Sequence, residues 1–144
     1  MKGFLHFYSW GMEVKLYMSI YTAAVVFFQG ITEVLQGRYS ISVWVLLEML
    51  LVSFGFAAIQ YAVLPAGNWT SKKELAVWVI SANVLYIGGA LVFGWFPGVP
   101  LWGDILLIAM LECGLWAVWF GEQVACWRDT QALNRSLRQF QEEA

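Results

Sequence analysis

The stretch Ser42–Leu64, SVWVLLEMLLVSFGFAAIQYAVL, decides what kind of chain this is. Glu48 is its only charged residue. A helix rising 1.5 Å per residue needs roughly 20 such residues to cross a hydrocarbon core about 30 Å thick. An open strand would leave its backbone groups unpaired in lipid, so the stretch reads as a transmembrane helix.

Three further stretches of the same character lie around it: Val14–Gln36, Leu75–Phe96 and Leu101–Cys126. The first is too long for the apolar core of a signal peptide and has no clear small-x-small cleavage site, so it reads as a span. Across all 144 residues, 60% are hydrophobic and 12% charged, about half the roughly 25% charged content of a soluble domain. Mean hydropathy is +0.65. The sequence therefore predicts an all-α integral membrane protein with four transmembrane helices. It predicts one membrane domain over 1–144, ending in a short amphipathic helix at 127–144. Its main partner is the lipid bilayer, and its expected location is a bacterial inner (plasma) membrane, crossed several times.

Orientation follows the lysines and arginines. With four spans the two termini and the middle loop share a side. That side holds Lys2, Lys15, Lys72, Lys73, Arg128, Arg135 and Arg138, and the other holds only Arg38. Both termini are thus expected in the cytoplasm. The outer turns, Gly37–Ile41 and Pro97–Pro100, are too short to hold a soluble domain. Aromatic rings crowd the span ends at Trp44, Trp69, Trp78, Trp95, Phe96, Trp102 and Trp127, where amphipathic rings prefer the headgroup level. The opening MKGFLHFYSW reads as a short interfacial helix, with His6 a headgroup neighbour.

Several chemistries lack their motifs. No Walker loop, G-x-G-x-x-G, G-x-S-x-G or H-E-x-x-H pattern occurs, and little polar chain remains to surround a soluble substrate. The expectation is a non-enzyme with no cofactor and no metal. Net charge of -2 gives no reason to expect direct nucleic-acid binding. Cys113 and Cys126 are thirteen residues apart on one expected helix, about 20 Å, too far for an internal disulfide. Asn68-Trp69-Thr70 matches a glycosylation sequon but falls on the cytoplasmic side, where it reads as turn and helix-cap chemistry.

Polar residues inside the spans are the candidates for function. Lys15, Ser19, Thr22, Gln29, Glu33 and Gln36 recur at steps of three, four and seven, making one face of the first helix. Glu48, Asn83 and Glu112 lie on the second, third and fourth. An acid in the bilayer is costly, so such residues face inward and find partners. Two readings follow. Glu33, Glu48 and Glu112 form a shared acidic site for a cation, a proton or a cationic peptide, or the glutamates hold the bundle together with Gln29, Asn83 and Arg38.

The fourth span carries Ala109, Cys113, Ala117, Gly121 and Ala125 at four-residue steps, a pattern that lets helix backbones approach closely. It serves packing within the bundle, a homo-oligomer seam or a docking face. Ala90 and Gly94 offer a shorter version. Beyond Trp127, Leu133, Leu137 and Phe140 recur at steps of four and three, with Arg128, Arg135 and Arg138 interleaved. No proline or glycine separates this helix from the fourth span. It lies on the membrane surface, or it is a seam for dimerisation or a cytoplasmic partner.

Three short stretches, KKELAVWVISANVLY at 72–86 with the loop before it, GWFP at 94–97 and WRDTQALNRSLRQF at 127–140, resemble a known family. It comprises small four-helix bacterial membrane proteins catalogued as the domain of unknown function numbered three-thousand-and-twenty-one. The closing Asn134-x-x-Leu137 element carries most of the likeness, which extends over the whole chain in length and span number. The resemblance implies a membrane partner of a LytTR-type transcription regulator, restraining that cytoplasmic activator until a signal releases it. The tail residues Arg128, Leu133, Asn134, Leu137 and Phe140 and the NWTSKKE loop would then be the docking surfaces, and the family supplies no catalytic residue. The expected function is regulation by protein–protein contact. The rivals are a small proton-coupled transporter, of which small four-span multidrug exporters with a membrane glutamate are the type, and an accessory subunit of a larger membrane transport complex.

Overall fold

In a computed structural model, residues 1–64 and 72–144 are described, and every regular element among them is a helix: α1 (Lys2–Leu35), α2 (Val43–Val63), α3 (Lys72–Phe93) and α4 (Leu101–Glu143). All four are long and apolar enough to cross a membrane. The chain divides into two compact units, Met1–Ile108 and Ala109–Ala144.

The boundaries depart from the sequence expectation in three places, each for a local reason. The opening segment is not a separate interfacial helix but the first turns of α1, which runs unbroken through Gly3 and Gly11. A glycine inside a helix costs only about 1 kcal/mol, less than freeing several backbone groups where water is scarce. The third helix stops at Phe93, not Phe96, because Gly94 turns the chain with φ +64°. The third helix also begins at Lys72, not Leu75, because Lys72, Lys73 and Glu74 add a polar turn before the apolar run. The tail agrees with expectation: it continues α4 with no break from Leu101 to Glu143. Trp69, the Asn68-Trp69-Thr70 sequon and most of the NWTSKKE loop fall outside the described residues.

In the first unit α2 packs against both α1 and α3. Its buried line is Met49, Ser53, Phe56, Ala57 and Gln60, and α3 answers with Trp78, Ala82, Tyr86 and Gly89. Phe56, 0% exposed, is the hub. Its ring lies 4.8 Å from that of Tyr21, 5.5 Å from Tyr86 and 6.0 Å from Trp78. Around the hub the polar atoms are paired. The Tyr21 hydroxyl and the Trp78 indole N–H, the latter at 3.0 Å, both donate to Gln60 Oε1. The Tyr86 hydroxyl donates to Ser53 Oγ at 3.1 Å.

Outward, the pattern is the reverse of a soluble protein. Leu47, Leu51, Ile80, Val84 and Leu91 are exposed, whereas Gln29, Glu33, Ser53 and Gln60 are buried. Water would not tolerate so much contiguous apolar surface on a small monomer. In lipid it costs nothing, and association of helices rests on packing and internal hydrogen bonds instead. The arrangement is consistent with a multi-pass membrane protein.

Gln60 accepts from two buried donors on different helices, so its loss removes both of these hydrogen bonds at once. Gln60→Leu should destabilise the solubilised protein by about 1–3 kcal/mol, with Tyr21→Phe nearer the ~0.6 kcal/mol typical of one membrane hydrogen bond. Equal unfolding midpoints for wild type and Gln60→Leu, followed by tryptophan fluorescence, would refute the shared-acceptor role.

Candidate functional site

Two turns of the first unit use the same device. α1 ends at Leu35, and Gly37 takes φ +73°. The Gly37 N–H then donates to Val34 O at 3.0 Å and the Arg38 N–H to Glu33 O at 2.8 Å. α3 ends at Phe93, Gly94 takes φ +64°, and the Trp95 N–H donates to Ala90 O at 3.2 Å. These are glycine-capped helix ends of the Schellman type, in which a left-handed residue folds the next one back over the last turn. Only glycine adopts that conformation without a steric penalty.

The residue folded back is held by a glutamate in both cases. Arg38 Nε stands 2.6 Å from Glu33 Oε2, and its Nη2 donates to Glu33 Oε1 at 3.1 Å. The Trp95 indole N–H donates to Glu48 Oε2 at 3.1 Å. Gly89 makes room for that indole: a Cβ there would meet Trp95 Cη2 at 3.0 Å. Gln29, one turn before Glu33, donates from Nε2 to Glu33 Oε1 at 3.0 Å. Gln29, Glu33, Arg38 and Trp95 border a cleft of about 390 Å³ whose walls also include Ser40, Ser42 and Pro97.

Glu33 and Glu48 thus have separate partners, an arginine and a tryptophan. Gln29 and Arg38 join Glu33 within α1 and its closing turn. Asn83 stands apart: it is half-buried, and its Nδ2 donates to Val79 O one turn back on its own helix, at 3.0 Å. Glu112 is half-buried on α4 in the second unit. On α1 the packed line is Val14, Tyr21, Gln29 and Glu33. The polar stripe expected from Lys15 to Gln36 therefore coincides with it only at Gln29 and Glu33. Lys15, Ser19 and Gln36 are exposed, and the Ser19 hydroxyl donates to Lys15 O.

The tryptophans at the span ends divide into two kinds. Trp44, Trp102 and Trp127 are exposed, as interface anchors should be. Trp78 and Trp95 are each 1% exposed and bonded inward, a correction to the anchoring expected of them. Arg38 and Trp95 carry one signal that the sequence offers: each directly follows a glycine that closes an apolar helix.

In the second unit Ala109, Cys113, Ala117, Gly121 and Ala125 are all exposed, as is every residue from Val124 to Ala144. Both cysteines are free thiols. Among the described residues no group of three or more His, Cys, Asp or Glu side chains could hold a metal ion. Compared with protein-family models, curated proteins and solved structures, the chain matches none.

The Glu33–Arg38 pair makes a specific stability prediction. Arg38→Ala leaves a buried carboxylate without its counter-charge, whereas the double variant Glu33→Gln/Arg38→Ala removes both charges. With the Arg38 side chain 45% exposed, the single variant should cost about 1–2 kcal/mol, below the range for a fully buried pair, and the double variant should recover part of it. Melting in detergent tests this, and a double variant no more stable than Arg38→Ala would refute the pairing argument.

Proposed function

We propose that this chain is a multi-pass regulatory protein of a bacterial inner membrane, with both termini in the cytoplasm. It would act by direct contact between the last turns of α4 and a cytoplasmic transcription regulator of the LytTR type. One observation carries the reading: α4 continues as helix past its apolar stretch and presents Leu133, Leu137 and Phe140, all exposed, in one row. Its 43 residues amount to about 65 Å, twice the thickness of a hydrocarbon core. A helix unbroken from apolar stretch to tail passes a shift or rotation of one to the other.

The charges of the tail favour a protein partner over the membrane surface. From Arg128 to Ala144 three arginines are balanced by Asp129, Glu142 and Glu143, which leaves little attraction to anionic headgroups. At helical spacing the arginines fall on the side away from the Leu133–Leu137–Phe140 row, and the positions beside the row are mainly uncharged. A helix lying on lipid would instead set its basic residues along the flanks of its apolar face. The resemblance of WRDTQALNRSLRQF to the four-helix family supports the choice of partner. Against the transport rival, Glu33 and Glu48 are each engaged by a partner within the bundle, Arg38 and Trp95.

Two experiments test the proposal. A LytTR-type regulator co-expressed with the full chain should fractionate with membranes and be silent on its promoter. Removing Arg128–Ala144 should release it and raise the reporter several-fold. A regulator that stays membrane-bound and repressed rules out the tail as the docking element, and proton-coupled efflux in liposomes that is lost in Glu112→Gln favours transport. For topology, in a Cys113→Ser/Cys126→Ser background, Ser40→Cys should react with an impermeant maleimide in intact cells and Ser136→Cys only after lysis. The reverse pattern would invert the orientation.

A further inference from the structure

Four buried side-chain atoms have no hydrogen-bond partner among the described residues: Thr22 Oγ1, Gln29 Oε1, Glu74 Oε2 and Trp119 Nε1. Of these residues only Gln29 lines the cleft at the glycine-capped ends of α1 and α3. Gln29 is 2% exposed. Its amide cannot be turned to hide the defect, because Nε2 donates to Glu33 Oε1 at 3.0 Å and a flipped amide would set oxygen against oxygen. A bare amide acceptor at that depth is costly and calls for a donor from outside the chain.

The rest of the cleft limits what that donor belongs to. Glu33 and Arg38 cancel in charge, so the site has no net charge to offer an ion of either sign. Arg38 is nonetheless half-exposed, with Nε and Nη2 engaged by Glu33 and Gln36 and Nη1 left as a donor pair. The hydroxyl-bearing Ser40 and Ser42 stand on the same wall. Gln29 Nε2 and Arg38 Nη2 both bond Glu33 Oε1, at 3.0 Å and 3.1 Å. The Gln29 amide nitrogen and the guanidinium are therefore one carboxylate oxygen apart, and the bare Oε1 is the other atom of that same amide. That juxtaposition suits a ligand with no net charge that carries an anionic group and an N–H donor a short distance apart.

We propose that this cleft binds a phosphoethanolamine group, its phosphate on Arg38 and its primary ammonium donating to Gln29 Oε1. Both a bilayer phospholipid and its deacylated form, glycerophosphoethanolamine, are phosphodiesters that carry this zwitterionic chemistry. The proposal requires neither the orientation nor the regulatory partner proposed above. It also carries a built-in control. Choline has the same charge as ethanolamine but no N–H, so it meets Arg38 equally well and leaves Gln29 Oε1 bare.

The test uses the full chain in detergent. Native mass spectrometry would measure saturable binding of ethanolamine and choline phospholipids with identical acyl chains, and calorimetry would measure free glycerophosphoethanolamine and glycerophosphocholine. The ethanolamine form should bind about tenfold or more tighter than the choline form. Gln29→Met should abolish that preference without weakening choline binding, and removal of Arg128–Ala144 should leave the preference intact. Preference shown by the lipid alone places the ligand in the bilayer, and preference shown also by the free zwitterion means the headgroup suffices; either supports the site. Equal binding of the two headgroups by the wild-type chain overturns it, and that comparison needs no variant to fold. A preference that survives Gln29→Met overturns it as well.

Discussion

A carboxylate carried into a membrane span needs its counter-charge from the same chain, and the turn between α1 and α2 is built around that need. Glu33 lies in the last turn of α1, where the next basic residue, Arg38, is already past the helix end. Continued as a helix, the chain would carry Arg38 round and away from Glu33. Gly37, with φ +73°, reverses the backbone and returns the guanidinium to the carboxylate. The position thus has two demands, a left-handed conformation and a short reach, and glycine meets the first so that arginine can meet the second. Gly94 repeats the solution for Trp95 and Glu48, so two helix ends are sealed by side chains, not by loops.

The same economy governs the interior. Lipid gives helices no reason to hide leucine, so the buried line of α2 is not its most apolar one. It contains Ser53 and Gln60, each facing a donor from another helix, with Phe56 filling the space between. Specificity of packing comes from these few directed contacts. The apolar residues that dominate the composition are turned outward and set only the depth at which each helix sits.

This division explains what could be read from the sequence. The four spans were legible because their apolar runs admit one structure in lipid, but the end of α3 was not: Gly94 read as half of a small-residue pair with Ala90, and the apolar run carried the span to Phe96. The pairing of Gln29 and Arg38 with Glu33 was legible too, since residues four and five apart at a helix end have few other partners. Azimuth was not. Trp44 and Trp78 both sit near span ends, and hydropathy alone cannot say that one faces outward and the other bonds Gln60. Gln60 itself drew no notice, because a single glutamine in an apolar run shows no spacing pattern. Asn83 misled in the opposite sense: a mid-span amide suggests a partner helix, but its nearest acceptor was a carbonyl on its own preceding turn.

Polar groups in such a bundle are informative in proportion to how well the rest are satisfied. In α1 to α3 the hydroxyls of Tyr21 and Tyr86, the indoles of Trp78 and Trp95 and the Gln29 amide nitrogen all find acceptors within the first unit. Against that background Gln29 Oε1 stands out. Glu33 draws the amide nitrogen and Arg38 balances Glu33, so the geometry that stabilises the pair is also what leaves the oxygen uncovered. Replacing Gln29 with an apolar residue would remove that cost and leave Glu33 with its two arginine contacts. It would also remove the amide's buried hydrogen bond to Glu33, so the bare oxygen is a cost that only a donor entering the cleft would recover.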